Sequence, residues 1–375
     1  MKISADFDSG NIQVIDTSDP QRVQLAMRPD LNSHHFQWFH FQVDDLQPGQ
    51  AYGFCLTNAG QSAYNRAWDG YQAVASYDQQ EWFRVPTRFE GGQLHFQLKA
   101  ERPSVRFAYF EPYPRARHER LITRALERGA ELVASGRSLE GRDLQLLRIG
   151  GQASASHKLW IIAQQHPGEH MAEWFMEGLI ERLQDSEDSE IAALLAETEF
   201  YLVPNMNPDG ACRGHLRTNY AGQDLNRAWQ SASSERSPEV LFVLQHMQRI
   251  GVDLFLDIHG DEEIPHVFTA GCEGNPGYTP RLAALEEDFR SRLVGIGAEF
   301  QTRFGYPRDE PGQANLTLAC NSVGQAFDCL SFTIEMPFKD HDDSPQARTG
   351  WNGARSQQLA RDVLTVLGQM VATLR

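Results

Sequence analysis

Four short stretches of this chain place groups able to bind a metal or move a proton directly after an apolar run. His166-Pro167-Gly168-Glu169 follows Leu159–Gln165, and Asn205-Met206-Asn207-Pro208-Asp209-Gly210 follows Phe200–Pro204. His259-Gly260 follows Leu254–Ile258, and Glu335 closes Leu330–Ile334. Imidazole and carboxylate are both zinc ligands, and three of them with one open position make a catalytic zinc site. A chain with 13 histidines offers other H-x-x-E pairs, His170-x-x-Glu173 and His259-x-x-Glu262 among them. Pro167 and Gly168 favour the first, since they form a tight loop presenting both side chains just ahead of a helix. The overlapping His166-x-x-Glu169-His170 also fits the H-x-x-E-H pattern, in which both histidines bind zinc from one helical face and the Glu is the base. Pro-Gly between them disfavours that regular helix.

The elements needed to hold such groups can be read from the same runs. Leu144–Ile149, Leu159–Ala163, Phe200–Val203, Leu254–Ile258 and Ser331–Ile334 read as strands, several of them apolar enough for burial on both faces. Helical stripes at 118–134, 172–184, 238–250, 280–296 and 355–374 separate or follow them, while the Ser-rich stretch 231–237 reads as a loop. Alternation of this kind predicts an α/β fold with a mixed, mainly parallel sheet flanked by helices, and in such sheets ligands gather beyond the carboxyl ends of the strands. The first 110 residues have a different grammar. His35–Val43 and Gln93–Lys99 alternate with the period of half-buried strands, with Gly, Pro, Asn and Asp between short segments. They predict an all-β antiparallel sandwich domain over 1–112, ahead of the α/β domain over 113–375, with Pro112-Tyr113-Pro114 at the junction. Trp38, Trp68 and Trp82 are read as the sandwich core rather than as a binding platform.

The chain has 375 residues and a net charge of −16, which argues against nucleic acid as a partner. No apolar run approaches the ~20 residues needed to cross a bilayer, so no membrane association is expected. The opening MKISADFDSG has no apolar stretch behind its Lys and predicts no export signal. Five widely spaced cysteines without a C-x-x-C pair fit reduced thiols in the cytoplasm, with one bridge left open.

Residues 207–229 carry Asn207-Pro208-Asp209-Gly210, Arg217 and the run Asp224-Leu225-Asn226-Arg227-Ala228-Trp229. With the HPGE of His166–Glu169, the DIHG of Asp257–Gly260, the FTIEMPF of Phe332–Phe338 and the junction Phe107–Tyr113, this resembles the zinc metallocarboxypeptidases, most closely their cytosolic carboxypeptidase branch. The likeness covers roughly residues 107–375. It implies one Zn2+ per chain on His166, Glu169 and His259, with Glu335 as general base and then acid for a zinc-activated water. It further implies that Arg217 steadies the developing oxyanion, that Asn226 and Arg227 hold the substrate's terminal carboxylate, and that Asp224 orients His166. The partner would be the C-terminus of a peptide or protein, cleaved at a peptide bond or a side-chain glutamyl isopeptide bond. The chemistry of the residues agrees. Zinc lowers the pKa of a bound water to about 7, guanidinium pairs bidentately with carboxylate, and a zinc-binding imidazole usually gives its other N–H to a carboxylate.

Two features depart from that pattern. The family's Tyr upstream of the catalytic Glu has no counterpart in Pro307–Ile334, and Tyr306 lies farther back than the family's spacing. Members that trim glutamate carry a basic pocket residue before that Glu, yet Gly312–Ile334 contains neither Lys nor Arg. Arg303 and Arg308 are the candidates to replace it, and Leu316, Leu318, Ala319, Val323 and Phe327 read as core or as a neutral pocket. Two other activities fit the sequence: a zinc amidohydrolase or deacylase acting on small amino-acid conjugates, and a degenerate carboxypeptidase domain serving as a binding module.

Overall fold

The computed structural model describes residues 1–151, 157–297 and 299–374. The N-terminal residues form two five-stranded sheets. One runs Lys2–Ser4, His40–Asp44, Val105–Ala108, Val74–Ser76, Phe83–Arg84, and the other Gln13–Asp16, Val23–Ala26, Ala51–Leu56, Gln93–Lys99, Thr87–Glu90. Neighbours are antiparallel except Val23–Ala26 with Ala51–Leu56, which are parallel. Inward-facing aromatic rings fill the space between them. Phe107 lies 4.8 Å from Phe54 and 5.4 Å from Phe41, centroid to centroid, and Trp38, Trp68 and Trp82 are all buried. The strand expected over His35–Val43 forms a ladder only from His40 to Asp44. Ahead of it Gln37 turns inward and binds the backbone of Tyr64 instead of a neighbouring strand.

The remaining chain builds a seven-stranded sheet from β1 (Glu131–Arg137), β2 (Asp143–Gly150), β3 (His157–Ala163), β4 (Thr198–Val203), β5 (Leu254–Asp261), β6 (Phe268–Ala270) and β7 (Leu330–Pro337). Their spatial order is β1-β2-β4-β3-β5-β7-β6. The central four are parallel and the three outer strands join antiparallel. Alternation along β3 shows why these strands look apolar throughout. Leu159 and Ile161 pack into the same cluster as helices α2 (His170–Leu183), α6 (Pro280–Ile296) and α8 (Gly353–Met370). Trp160 and Ile162 pack with α5 (Pro238–Ile250) and α7 (Ala319–Phe327) on the opposite face. The cluster that includes α2 and α8 continues through Phe110 and Tyr113 into the core of the N-terminal sheets.

One expected helix is shorter than its pattern. The helix predicted over 118–134 spans Arg115–Glu127, because Gly129 turns the backbone at φ +96° and Glu131 onward pairs with β2. None of the five cysteines is in a disulfide, although the buried Cys272 and Cys320 sulfurs lie 3.2 Å apart. No described helix is long and apolar enough to cross a membrane.

Candidate active site

At the end of β3 the chain leaves the sheet through Gln164, a buried residue with φ +57°. Its side chain holds the turn, donating to the Pro167 carbonyl at 2.9 Å and accepting from Asn205 Nδ2 at 2.8 Å. Gly168 donates to the Leu216 carbonyl, and a Cβ there would lie 2.9 Å from that oxygen, so only glycine fits. The loop delivers His166 and Glu169 just ahead of α2. His259 sits on β5 with Glu335 as its register partner on β7, so two adjacent parallel strands set these side by side.

His166, Glu169 and His259 are buried together. One oxygen of Glu169 lies 2.6 Å from His166 Nδ1 and the other 2.7 Å from His259 Nδ1 and 3.1 Å from the Gly260 N–H. The far nitrogens have carboxylate neighbours too. His166 Nε2 is 3.2 Å from Asp224 Oδ1, and His259 Nε2 is 2.8 Å from Asp257 Oδ2. Burial opposes ionisation of Glu169, but His166 and His259 outweigh it and bring the carboxyl down to about 2. Two imidazoles and one carboxylate converging on one point, each ring with a carboxylate beside its far nitrogen, fit a divalent zinc-type cation.

Glu335 is buried beside this group, and its Oε2 has no hydrogen-bond partner among the described residues. Burial, reinforced by Glu169, Asp261 and Asp257 and opposed by His259, pushes its carboxyl well above the usual range. Tyr306 does reach the site despite its spacing. Its hydroxyl donates to Asp261 Oδ2 at 2.7 Å and lies 3.3 Å from Glu335 Oε1.

Asp224 ties the second half together. It accepts from Arg217 Nε at 2.8 Å and from the Asn226 N–H at 2.9 Å, and Arg227 Nη1 lies 4.0 Å away. Burial works against its charge, yet His166, Arg217 and Arg227 hold it well below the ordinary carboxylate range. Asn226 Oδ1 accepts from the Ala319 N–H, which leaves its amide N–H groups for a ligand, and Arg227 is half-exposed. All eight residues singled out from sequence thus gather in one place.

His170 does not join them. Burial lowers it to about 3; its Nδ1 accepts from the Tyr113 N–H at 3.0 Å, and its ring packs on Trp38. Glu173 is engaged by His118 and Asn205. The helix begins at His170, after Pro-Gly, so His166 and His170 never share a helical face.

Sequence reasoning missed Asp257 as the neighbour of His259, although two residues apart on one strand means the same face. It also missed Gln165, whose amide donates to Asp257 at 2.7 Å and accepts from Trp229 at 2.8 Å. Asp30 and Tyr64, both from loops between the N-terminal strands, contact Arg217 and left no signal in the sequence. A cavity of about 330 Å³ opens beside Tyr306 and Thr333, the latter two residues before Glu335. Arg303 and Arg308 line it as anticipated, together with the buried Arg290, which was not anticipated.

Comparison with known proteins agrees with this geometry. Residues 3–110 match the cytosolic carboxypeptidase N-terminal domain, and residues 121–270 match the zinc carboxypeptidase family. A metallo-carboxypeptidase from Pseudomonas aeruginosa, solved in complex with (2-guanidinoethylmercapto)succinic acid, is 66% identical with a TM-score of 0.99 over 100% of both chains. A Zymomonas mobilis protein is 45% identical across 100% of this chain and 97% of its own length. Cytosolic carboxypeptidase 3 of Bos taurus is 27% identical over 73% of this chain, which spans only 31% of that longer protein. A chain so close in sequence and shape to a metallo-carboxypeptidase, with both halves matching, belongs to the zinc carboxypeptidase family in its cytosolic carboxypeptidase branch.

Proposed function

We propose that this metallocarboxypeptidase holds one zinc ion per chain on His166, Glu169 and His259 and removes the last residue of a peptide. The 1–112 domain would support a catalytic domain at 113–375. The observation that carries the reading is the Glu169 carboxylate set between two histidine Nδ1 atoms whose other nitrogens face Asp224 and Asp257. When bound, the metal would polarise the scissile carbonyl and lower the pKa of a water to about 7. Glu335 takes the water's proton on Oε2, the oxygen without a partner, and passes it to the leaving amine. Arg217, anchored through Nε and Nη1, offers Nη2 to the oxygen where charge develops. Asn226 and Arg227 receive the terminal carboxylate, and the Tyr306 hydroxyl faces the same space.

The side chain of the departing residue would enter the cavity beside Thr333. Every arginine there already has a carboxylate: Arg290 and Arg308 pair with Glu273 at 2.8 and 3.3 Å, and Arg303 pairs with Asp343. With no arginine there left unpaired, the pocket favours a neutral terminal residue over glutamate, and a plain peptide bond over a glutamyl isopeptide bond. The ligand of the Pseudomonas aeruginosa relative, a succinate with a guanidino arm, is a fitting probe for the same pocket. The test is a panel of N-acylated dipeptides with free or amidated ends. Free ends should be cleaved far faster, and Arg227→Ala should erase most of that difference. Equal cleavage of both would overturn the carboxypeptidase reading, and a glutamate preference would overturn the pocket assignment.

A further inference from the structure

We propose that Asp30 and Tyr64 of the N-terminal domain are positioning residues for Arg217, so the arginine that meets the transition state is aimed from outside the catalytic domain. The inference rests on the role given to Arg217 above.

The segment between β4 and α5 has little regular structure of its own beyond the short helix Pro208–Arg213 and a single 3-10 turn at Leu225–Arg227. Arg217 therefore cannot take its direction from a sheet or a long helix. Asp30 supplies one. It is 2% exposed, and its carboxylate accepts the Leu216 N–H at 2.7 Å, the Arg217 and Thr218 N–H groups at 2.8 Å each, and the Thr218 hydroxyl at 3.1 Å. Three consecutive backbone donors on one carboxylate fix the course of the chain through Arg217, and each bond is strengthened by the charge. Neighbouring contacts strengthen the seam: Asn11 donates to the Gly214 carbonyl and the Leu31 N–H to His215.

Tyr64 acts on the other end of the same side chain. Its hydroxyl accepts from Arg217 Nη1, while Asp224 accepts from Nε at 2.8 Å. Nη2 donates to no protein group among the described residues, so the two anchors leave one edge of the guanidinium for a ligand. Tyr64 lies in a loop, yet it is held as if in a ladder. Its N–H donates to Gln37 Oε1 at 2.8 Å, and its carbonyl accepts from Gln37 Nε2, which also reaches the Tyr109 hydroxyl at 2.9 Å. Gln37 is fully buried, so a residue of the sandwich interior is committed to aiming one phenol at the catalytic domain.

The experiment uses the zinc-loaded full chain, an N-acylated dipeptide substrate, a phosphinic analogue of the tetrahedral state and (2-guanidinoethylmercapto)succinic acid as a ground-state ligand. Tyr64→Phe should lower kcat on the order of tenfold and weaken the phosphinate by a similar factor. KM, the succinate ligand and the melting temperature should stay close to the parent values. In an Arg217→Ala background Tyr64→Phe should cost nothing further. Asp30→Asn should show the same split, and if that variant fails to fold, Tyr64→Phe decides alone. Unchanged kcat in Tyr64→Phe with a severe loss in Arg217→Ala would overturn the inference and leave the role of Arg217 standing. The inference would likewise fall if Tyr64→Phe lost equally in both backgrounds. Near-normal turnover by Arg217→Ala would overturn the role of Arg217 itself.

Discussion

Among the described residues, two clusters bring ligand atoms of two histidines and a carboxylate within 4.8 Å of one another, and their surroundings differ. In the first, both Nδ1 atoms face Glu169 and both Nε2 atoms lie beside carboxylates. In the second, His341 has both nitrogens engaged. Nε2 donates to the Glu299 carbonyl at 2.7 Å, and Nδ1 accepts from the Asp343 N–H at 3.2 Å. Its carboxylate, Asp343, is exposed and paired with Arg303, and the His266 ring lies flat on Phe304. Proximity is common to both. What differs is that His341 has no nitrogen left over for a metal, which needs a lone pair, although His266 Nδ1 has no hydrogen-bond partner among the described residues.

The sharpest way to break this comparison is metal analysis. His166→Ala and His259→Ala should each lose zinc and all measurable turnover, whereas His266→Ala, His341→Ala and His170→Ala should keep one zinc per chain. A second zinc lost only on changing His266 or His341 would show that the second cluster ligates as well. Next in size is Glu335→Gln, which keeps the shape of the site but accepts no proton. It should retain zinc and ligand binding while kcat falls by ~10²–10⁴. Survival of activity within a few-fold would move the base elsewhere, and the buried Glu262 would be the next candidate.

The sequence disclosed those parts of the site that the sheet itself positions. His259 and Glu335 end apolar runs that become neighbouring parallel strands, so a polar residue after a buried strand was enough to find them. Arg217, Asp224, Asn226 and Arg227 are set by loop contacts, and only the family's ordered motifs revealed them. Asp30 and Tyr64 lie 187 and 153 residues from Arg217 along the chain, and no periodicity links positions that far apart. Tyr306 was doubted on spacing alone, yet a folded loop brings its hydroxyl to Glu335 regardless of residue count. The overlong helix at 118–134 came from reading a helical stripe across Gly129 into a strand that needed β2 as its partner.

A finer test asks whether the carboxylates behind the histidines matter. Asp257 is fully buried, accepts from Gln165 at 2.7 Å and sits 2.8 Å from His259 Nε2. Asp257→Asn preserves shape but removes the charge that orients the ring. Zinc affinity, measured by competition with a chelator, should fall by about 10–100-fold. An unchanged affinity would mean that His166, Glu169 and His259 alone distinguish this cluster from the second.

A buried carboxylate without a cation behaves in the opposite way. Glu169 is drawn down to about 2 by its histidines, whereas Glu239, equally buried, is pushed up to about 7. Burial dominates there. Asp209 adds to it, while the N–H of Glu239 itself, in the first turn of α5, and the side chain of Asn219 oppose it without prevailing. The sign follows from linkage. With an unfolded value near 4.5, the folded chain retains a proton that the unfolded chain releases. Its contribution to stability is therefore fully present below pH 4.5 and is lost as pH rises through about 7. Glu239→Gln resembles the protonated form at every pH and should not suffer that loss. Urea unfolding should find the two proteins similar at pH 5, with the variant more stable at pH 8 by on the order of 2–3 kcal/mol. A variant that lost ground to the parent at pH 8 would show that Glu239 is ionised in the fold, and that the helix terminus and Asn219 outweigh burial after all.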